Sequence, residues 1–292
     1  MSTQNLDKKN ISIQKFLKEN TSLDNKVFVS YEITTNIKEL DIKNGNLNDS
    51  LFVSVVWTGK LAKFKLLEND SSLKELFDLL QKLKEMNKRT MVHLTCYQMT
   101  FEKLKYILEK LRSFDVVDLL VLRGDGDEFV EFKNALELME AINNNKNYPK
   151  FNLAIAGYPQ GHPESLSVQQ DFEILKKKIE SGPGIIITQF FFNAMDFINF
   201  VENCHNIYDI HIPIIPGILL APSYAVLEKI SGIAKVSLPS ELINVCNFDN
   251  KQFEEYYTEF IVKLVSNVKR EDNVEVRQTE VHQEGNETLK QN

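Results

Sequence analysis

Short runs of apolar residues recur along the chain, separated by longer stretches in which apolar positions return every three or four residues. The short runs are "KVFVSYE" (26–32), "LFVSVVW" (51–57), "TMVHLTC" (90–96), "DLLVLRG" (118–124), "FNLAIAG" (151–157), "GIIITQFFF" (184–192) and "HIPIIPGIL" (211–219). Their length and β-branched content predict strands. Their lack of polar alternation predicts burial on both faces, as in a parallel sheet covered by helices. Among the stretches of helical period are "SLKELFDLLQKLKEM" (72–86), "FEKLKYILEKLRSF" (101–114), "SVQQDFEILKKKIESG" (167–182) and "FEEYYTEFIVKLVSNV" (253–268). Ser167 and Gln170 have the spacing of a capping box, and Gly182 marks a helix stop. The connection 33–50 is polar and weakly periodic, so no helix is assigned to it.

No GxGxxG and no GxxxxGK[ST] follows any of these runs, which removes the usual signature of a doubly wound nucleotide-binding sheet. Successive βα units along 292 residues instead predict an α/β fold of the (β/α)8 TIM-barrel type, typically ~250 residues long. The eighth strand is expected to be weak or missing. Its sole candidate is "VEVRQT" (274–279), charged at alternate positions. The expected organisation is an N-terminal extension (1–24), a catalytic barrel (25–270) and a polar tail (271–292) disordered from about 280. An incomplete barrel exposes a sheet edge that another chain can cover.

Composition narrows the function. The chain is 43% hydrophobic and 26% charged, as expected of a soluble globular protein. A net charge of -7 and a pI near 5.4, with lysines interleaved with glutamates, predict no nucleic-acid partner. The N-terminus has no apolar core of signal-peptide length, and no run approaches the ~20 residues needed to span a bilayer. A cytoplasmic protein without membrane attachment is therefore expected. Cys96, Cys204 and Cys246 are widely spaced and read as reduced thiols, and no HxH or HExxH spacing supports a metal.

A barrel builds its site at the carboxyl ends of its strands. There the chain places Glu32, His93, Thr95, Arg123, Asp125, Tyr158, His162, Glu164 and Gln189. Singly each has a plainer reading. A strand-end carboxylate is usually a cap or solvated, and a lone histidine is usually a satisfied core group. Arg123 and Asp125 can simply pair, and "KKK" (176–178) can be a solvated helix face, though its lysines can also reach a diphosphate. Their accumulation at one end of the sheet is what points to a site.

The segments "HLTC", "LRGD", "AGYPQGHPES", "D…LKKKIESG…IITQFFF" and "PIIPGIL" resemble, in order and spacing over about 26–245, the catalytic barrel of the methylenetetrahydrofolate reductase family. The likeness is to the eukaryotic type, without its regulatory domain. It implies an oxidoreductase of one-carbon metabolism and methionine biosynthesis. In it FAD, reduced by NAD(P)H, would serve to convert 5,10-methylenetetrahydrofolate to 5-methyltetrahydrofolate. Taken position by position, the resemblance makes Glu32 the acid that protonates the folate nitrogen. It sets Asp125 beside the flavin pyrimidine and the pterin, and gives Gln189 a contact with folate or nicotinamide. The flavin is expected on Trp57, His93, Arg123, Gly124, Asp125, Ala135, Tyr158, His162, Asp171, Lys177 and Lys178. Departures from the family pattern are "ITTN" (33–36) after the acid, Val56 for a threonine, Asn134 for an aromatic, and Lys177 for an arginine. They leave a second reading open, that of a non-catalytic or degenerate homologue acting as a folate-binding or complex-forming subunit, either a homo-oligomer or a partner in a larger complex.

Overall fold

Eight parallel strands close on one another in chain order. They are β1 (Phe28–Thr34), β2 (Val53–Val56), β3 (Thr90–Thr95), β4 (Asp118–Leu122), β5 (Asn152–Gly157), β6 (Ile185–Phe190), β7 (Ile214–Leu219) and β8 (Gln278–His282). The computed structural model describes residues 12–19, 28–35, 47, 50–57, 70–125, 129–270 and 278–282. Helices α2 (Ser71–Glu85), α3 (Phe101–Ser113), α4 (Ala135–Asn144), α5 (Val168–Glu180) and α6 (Ala194–Asn206) each lead from one strand to the next, from β2 through to β7. After β7 come α7 (Tyr224–Ala234), the short α8 (Ser240–Ile243) and α9 (Asn250–Arg270), while α1 (Ile13–Glu19) precedes β1.

Strand alternation sorts the core into two layers. On β3, Val92 and Leu94 face outward and join Leu76, Leu80, Leu104 and Leu108 of α2 and α3 between sheet and helices. Met91 faces inward, with Phe52, Leu120, Ala154, Ile185, Ile187 and Ile215. Ile13 and Leu17 of α1, 0% and 2% exposed, complete that inner cluster. The Ile13 amide donates to Asp118 Oδ1 at 3.5 Å, at the first residue of β4, so α1 stops the amino end of the barrel. Part of the expected N-terminal extension is thus core.

Helix starts are fixed from the sequence. Asp70, Thr100, Asn134, Ser167, Asn193 and Ser223 each accept a backbone N–H in the first turn of α2 through α7, each such cap contributing ~1 kcal/mol. Ser167 accepts from Gln170 N at 3.1 Å as its spacing predicts, but Gln170 Oε1 reaches back to Leu166 N, one residue beyond the expected partner. Gly182, at φ +79°, ends the segment that follows α5.

The eighth strand, weak in sequence as expected, lies further along the chain than its candidate. It lies at 278–282, overlapping the candidate only at 278 and 279, within the segment expected to be a polar tail. Its register pairs Gly217 with Glu280 on one side and Phe28 with Gln278 on the other. Ladder hydrogen bonds to two neighbours hold a segment that has little apolar content of its own, and they leave no open edge between β7 and β1. Of the rebuilt segment 33–36, Ile33 and Thr34 belong to β1, whereas Asn36 lies outside the described residues. No helix among the described residues is long and apolar enough to cross a membrane.

Candidate active site

The carboxyl ends of the strands surround a cavity of about 470 Å³, within the range usual for ligand clefts. Its wall includes Glu32, Trp57, His93, Arg123, Gly124, Asp125, Tyr158, His162 and Gln189, so nine of the expected positions converge on one space. Asp171 and Lys178 adjoin it behind Tyr158, lining a small crevice under α5. Two expected positions do not reach the cavity. Ala135 is buried as the first residue of α4, where Asn134 serves as N-cap, and Lys177 is exposed on the outer side of α5. Leu122 and Phe190 also line the space, together with Ile230, Ile233 and Ala234 from α7.

Glu32 is not the last residue of its strand, as the sequence suggested, but an inward position within β1. Its Oε2 lies 3.5 Å from His93 Nε2, and Ser54 Oγ lies 2.8 Å from the same nitrogen. Sequence reasoning passed over Ser54; the available indication was a polar residue at an inward position of an otherwise apolar strand. Trp57 is fixed by a bond from its Nε1 to Ser72 Oγ at 2.9 Å.

On the opposite wall, Arg123 binds Glu164 at 2.8 Å and lies over the Phe129 ring. That hydrogen bond holds the Glu164 carboxyl below the usual range. The Arg123–Asp125 pairing allowed by the sequence is replaced by this contact across the mouth. The His162 amide donates to Asp171 Oδ2 at 3.0 Å, and its Nδ1 accepts from the Glu164 amide at 3.1 Å. Nδ1 is therefore an acceptor and the ring is neutral with Nε2 protonated. Burial, which lowers the His162 pKa against the pull of Asp171 and Glu164, favours that state. Burial pushes the Tyr158 phenol up to about 12, with Asp171 adding to it. Burial also lowers the Lys178 ammonium, which Asp171 partly restores.

Two backbone features shape this wall. Gly124 has φ +83°, and a Cβ there would stand 2.9 Å from Thr95 Cβ. Beside it the Thr95 Oγ1 is buried without a hydrogen-bond partner among the described residues. The β6–β7 register shifts between Ile187 and Phe190, a bulge across Thr188 and Gln189. Among the described residues no group of three or more metal-ligating side chains occurs.

The sequence profile of the family described as methylenetetrahydrofolate reductase matches residues 33–282. The chain belongs to that family. It is 37% identical over 170 residues to methylenetetrahydrofolate reductase (NADH) 1 of Arabidopsis thaliana, covering 52% of this chain and 28% of that protein. It is 32% identical over 212 residues to the 5,10-methylenetetrahydrofolate reductase of Buchnera aphidicola subsp. Schizaphis graminum, covering 70% and 71%. The chain thus spans under a third of the plant reductase and most of the bacterial one. Among solved structures, a protein from Clostridium thermocellum described as binding two copies of 5-methyl-5,6,7,8-tetrahydrofolic acid shares the fold, with a TM-score of 0.61 at 15% identity over 91% of this chain and 93% of that one.

Proposed function

We propose that the chain reduces 5,10-methylenetetrahydrofolate to 5-methyltetrahydrofolate with FAD as cofactor and NAD(P)H as reductant. The observation that carries this reading is the convergence of Glu32, His93, Arg123, Asp125 and Gln189 on one cavity at the carboxyl face of a barrel of this family. The unpartnered hydroxyl of Thr95, a residue of the cavity wall, suits a polar-edged ring lying along β3 and β4. Arg123, Tyr158 and His162, with Lys178 behind them, would supply donors and positive charge for the rest of FAD, while Asp171 holds the His162 amide in place. Bound there, the flavin supplies the hydride chemistry that no side chain can.

The protein's part is orientation and one proton. Glu32 donates that proton to the folate nitrogen whose bond to the methylene carbon breaks, while a hydride adds to that carbon. Asp125 orients the pterin, and Gln189 contacts the folate or the nicotinamide. The reading predicts a yellow protein whose visible absorbance bleaches anaerobically with NAD(P)H and returns on adding methylenetetrahydrofolate. Glu32→Gln keeps the shape and removes the proton. Flavin reduction should survive in it, while folate reduction falls by ~100-fold or more. A colourless protein that cannot be reconstituted with FAD would refute the proposal.

A second reading, a folate-binding homologue without turnover, draws on the clostridial neighbour and on the position of Lys177, which is turned away from the cavity. Folate binding by a protein that takes up no flavin would decide for it.

A further inference from the structure

Three adjacent strands bring Glu32, Ser54 and His93 together inside the barrel. His93 Nε2 has Ser54 Oγ at 2.8 Å and Glu32 Oε2 at 3.5 Å. A ring nitrogen carries either a proton or a lone pair, so it cannot serve both neighbours alike. With Nε2 protonated and Glu32 ionised, a charge-assisted bond of about 2.7–2.9 Å to the carboxylate is expected. The short contact goes instead to the uncharged hydroxyl. Ser54 is fully buried, and the partner of its hydroxyl among the described residues is His93. An Oγ that only accepted from Nε2 would leave a buried O–H unsatisfied. Both observations make Ser54 the donor and Nε2 the acceptor.

Resting on the reductase reading above, we propose that Ser54 is a positioning residue: by donating to His93 Nε2 it keeps that nitrogen unprotonated, and so holds the neighbouring Glu32 carboxyl in the protonated form from which folate is protonated. Beside a neutral ring the carboxylate gains no ion pair, whereas beside an imidazolium it would, so a neutral His93 favours the protonated carboxyl. Without the hydroxyl, Nε2 can take the proton and form an ion pair with Glu32, which leaves the carboxylate with nothing to donate. Other titratable groups face the same space: Arg123 and Asp125 from β4, Tyr158 from β5 and His162 from the loop beyond it. The β1–β8 register also sets His282 beside Glu32.

The test uses Ser54→Ala as the FAD-loaded protein and compares its two half-reactions across pH. The expected result is a fall in the folate half-reaction, relative to the NAD(P)H half-reaction, of about tenfold or more at neutral pH, with recovery as the pH is lowered and the acid form is repopulated. The effect must persist in a His282→Gln background. Nitrogen-15 spectra of labelled histidine, with His93 assigned through His93→Gln, should show an unprotonated Nε2 in the wild type and a changed state in Ser54→Ala. Ser54→Cys, which keeps most of the volume with a weak donor, repeats both measurements if alanine loosens the barrel. A fall that does not depend on pH, an unchanged ratio, or a protonated Nε2 in the wild type overturns the proposal. Wild-type protein that reduces no folate overturns the reductase reading, and the acid role with it, while the histidine spectra separately decide whether Ser54 sets the ring.

Discussion

Gly124→Ala probes the wall of the cavity through two separable costs. The first is conformational: at φ +83° an L residue occupies left-handed backbone, which costs roughly 1–2 kcal/mol. The second is steric. The new Cβ would meet Thr95 Cβ at 2.9 Å and Cγ2 at 3.3 Å. Thr95 is itself buried in β3, where its neighbour β4 is in register and cannot retreat without breaking the ladder. Overpacking of this kind costs about 1–3 kcal/mol, for a total of roughly 2–5 kcal/mol, a large part of an ordinary domain's ~5–15 kcal/mol. Gly182→Ala supplies the control, because Gly182 has φ +79° and nothing within 4 Å of the added Cβ. It carries the first cost alone. Urea unfolding of both variants should therefore show Gly124→Ala less stable than Gly182→Ala by about 1–3 kcal/mol at similar m-values. Its flavin affinity should fall as well, since the pushed segment lines the cavity. Equal destabilisation by the two alanines, or wild-type flavin affinity in Gly124→Ala, would show that Gly124 is not there for a close approach.

Three further outcomes follow from other parts of the barrel. In native protein a thiol reagent at pH 8 should modify Cys246 alone, since it is exposed while burial pushes Cys96 and Cys204 up to about 12; rapid reaction of all three thiols would contradict the buried positions. Ile13→Ala should destabilise by about 2–5 kcal/mol in urea titrations, the cost of a core residue rather than of an N-terminal extension. Burial raises the Asp118 carboxyl to about 6 against the opposing pull of Arg89, above an unfolded value of ~3.9, so between these values the folded chain holds a proton that the unfolded chain has lost, and stability falls as pH rises through that window. Asp118→Asn should remove this slope, worth at most about 3 kcal/mol, and parallel stability–pH curves for the two proteins would count against the assignment.

Seven strands stand where the apolar runs predict them, and six of these, β2 to β7, are largely buried on both faces, burial of a kind that leaves its mark in the sequence. β8 leaves none. "QTEVH" has no apolar run, and its extended state is imposed by β7 and β1 on either side, a case of tertiary context overriding local preference. α1 escaped notice for a related reason. Its 7 residues are too few to be stable as an isolated helix, and its place depends on a hollow at the barrel's amino end that no local pattern reveals.

The site divides along the same line between local and long-range information. That Lys178 and not Lys177 adjoins the cavity follows from helical phase, since Asp171, Leu175 and Lys178 at i, i+4 and i+7 share one face. That Asn134 stands where the family pattern has an aromatic is explained locally too, by its bond to Glu137 N at 3.1 Å as the cap of α4. The meeting of Glu32, Ser54 and His93 is of another kind. Parallel register pairs Glu32 with Ser54, but pairs Ser54 with Met91, so His93 lies two residues further along β3. Ser54 and His93 come within 2.8 Å only because staggered strands tilt around a closed barrel. Alternation along a strand tells which residues point inward. Stagger between strands decides which inward residues touch, and it is settled by closure through β8, the strand the sequence discloses least. The chemical character of the mouth was therefore open to reading one strand at a time, while the contact that assigns a proton to Glu32 was not.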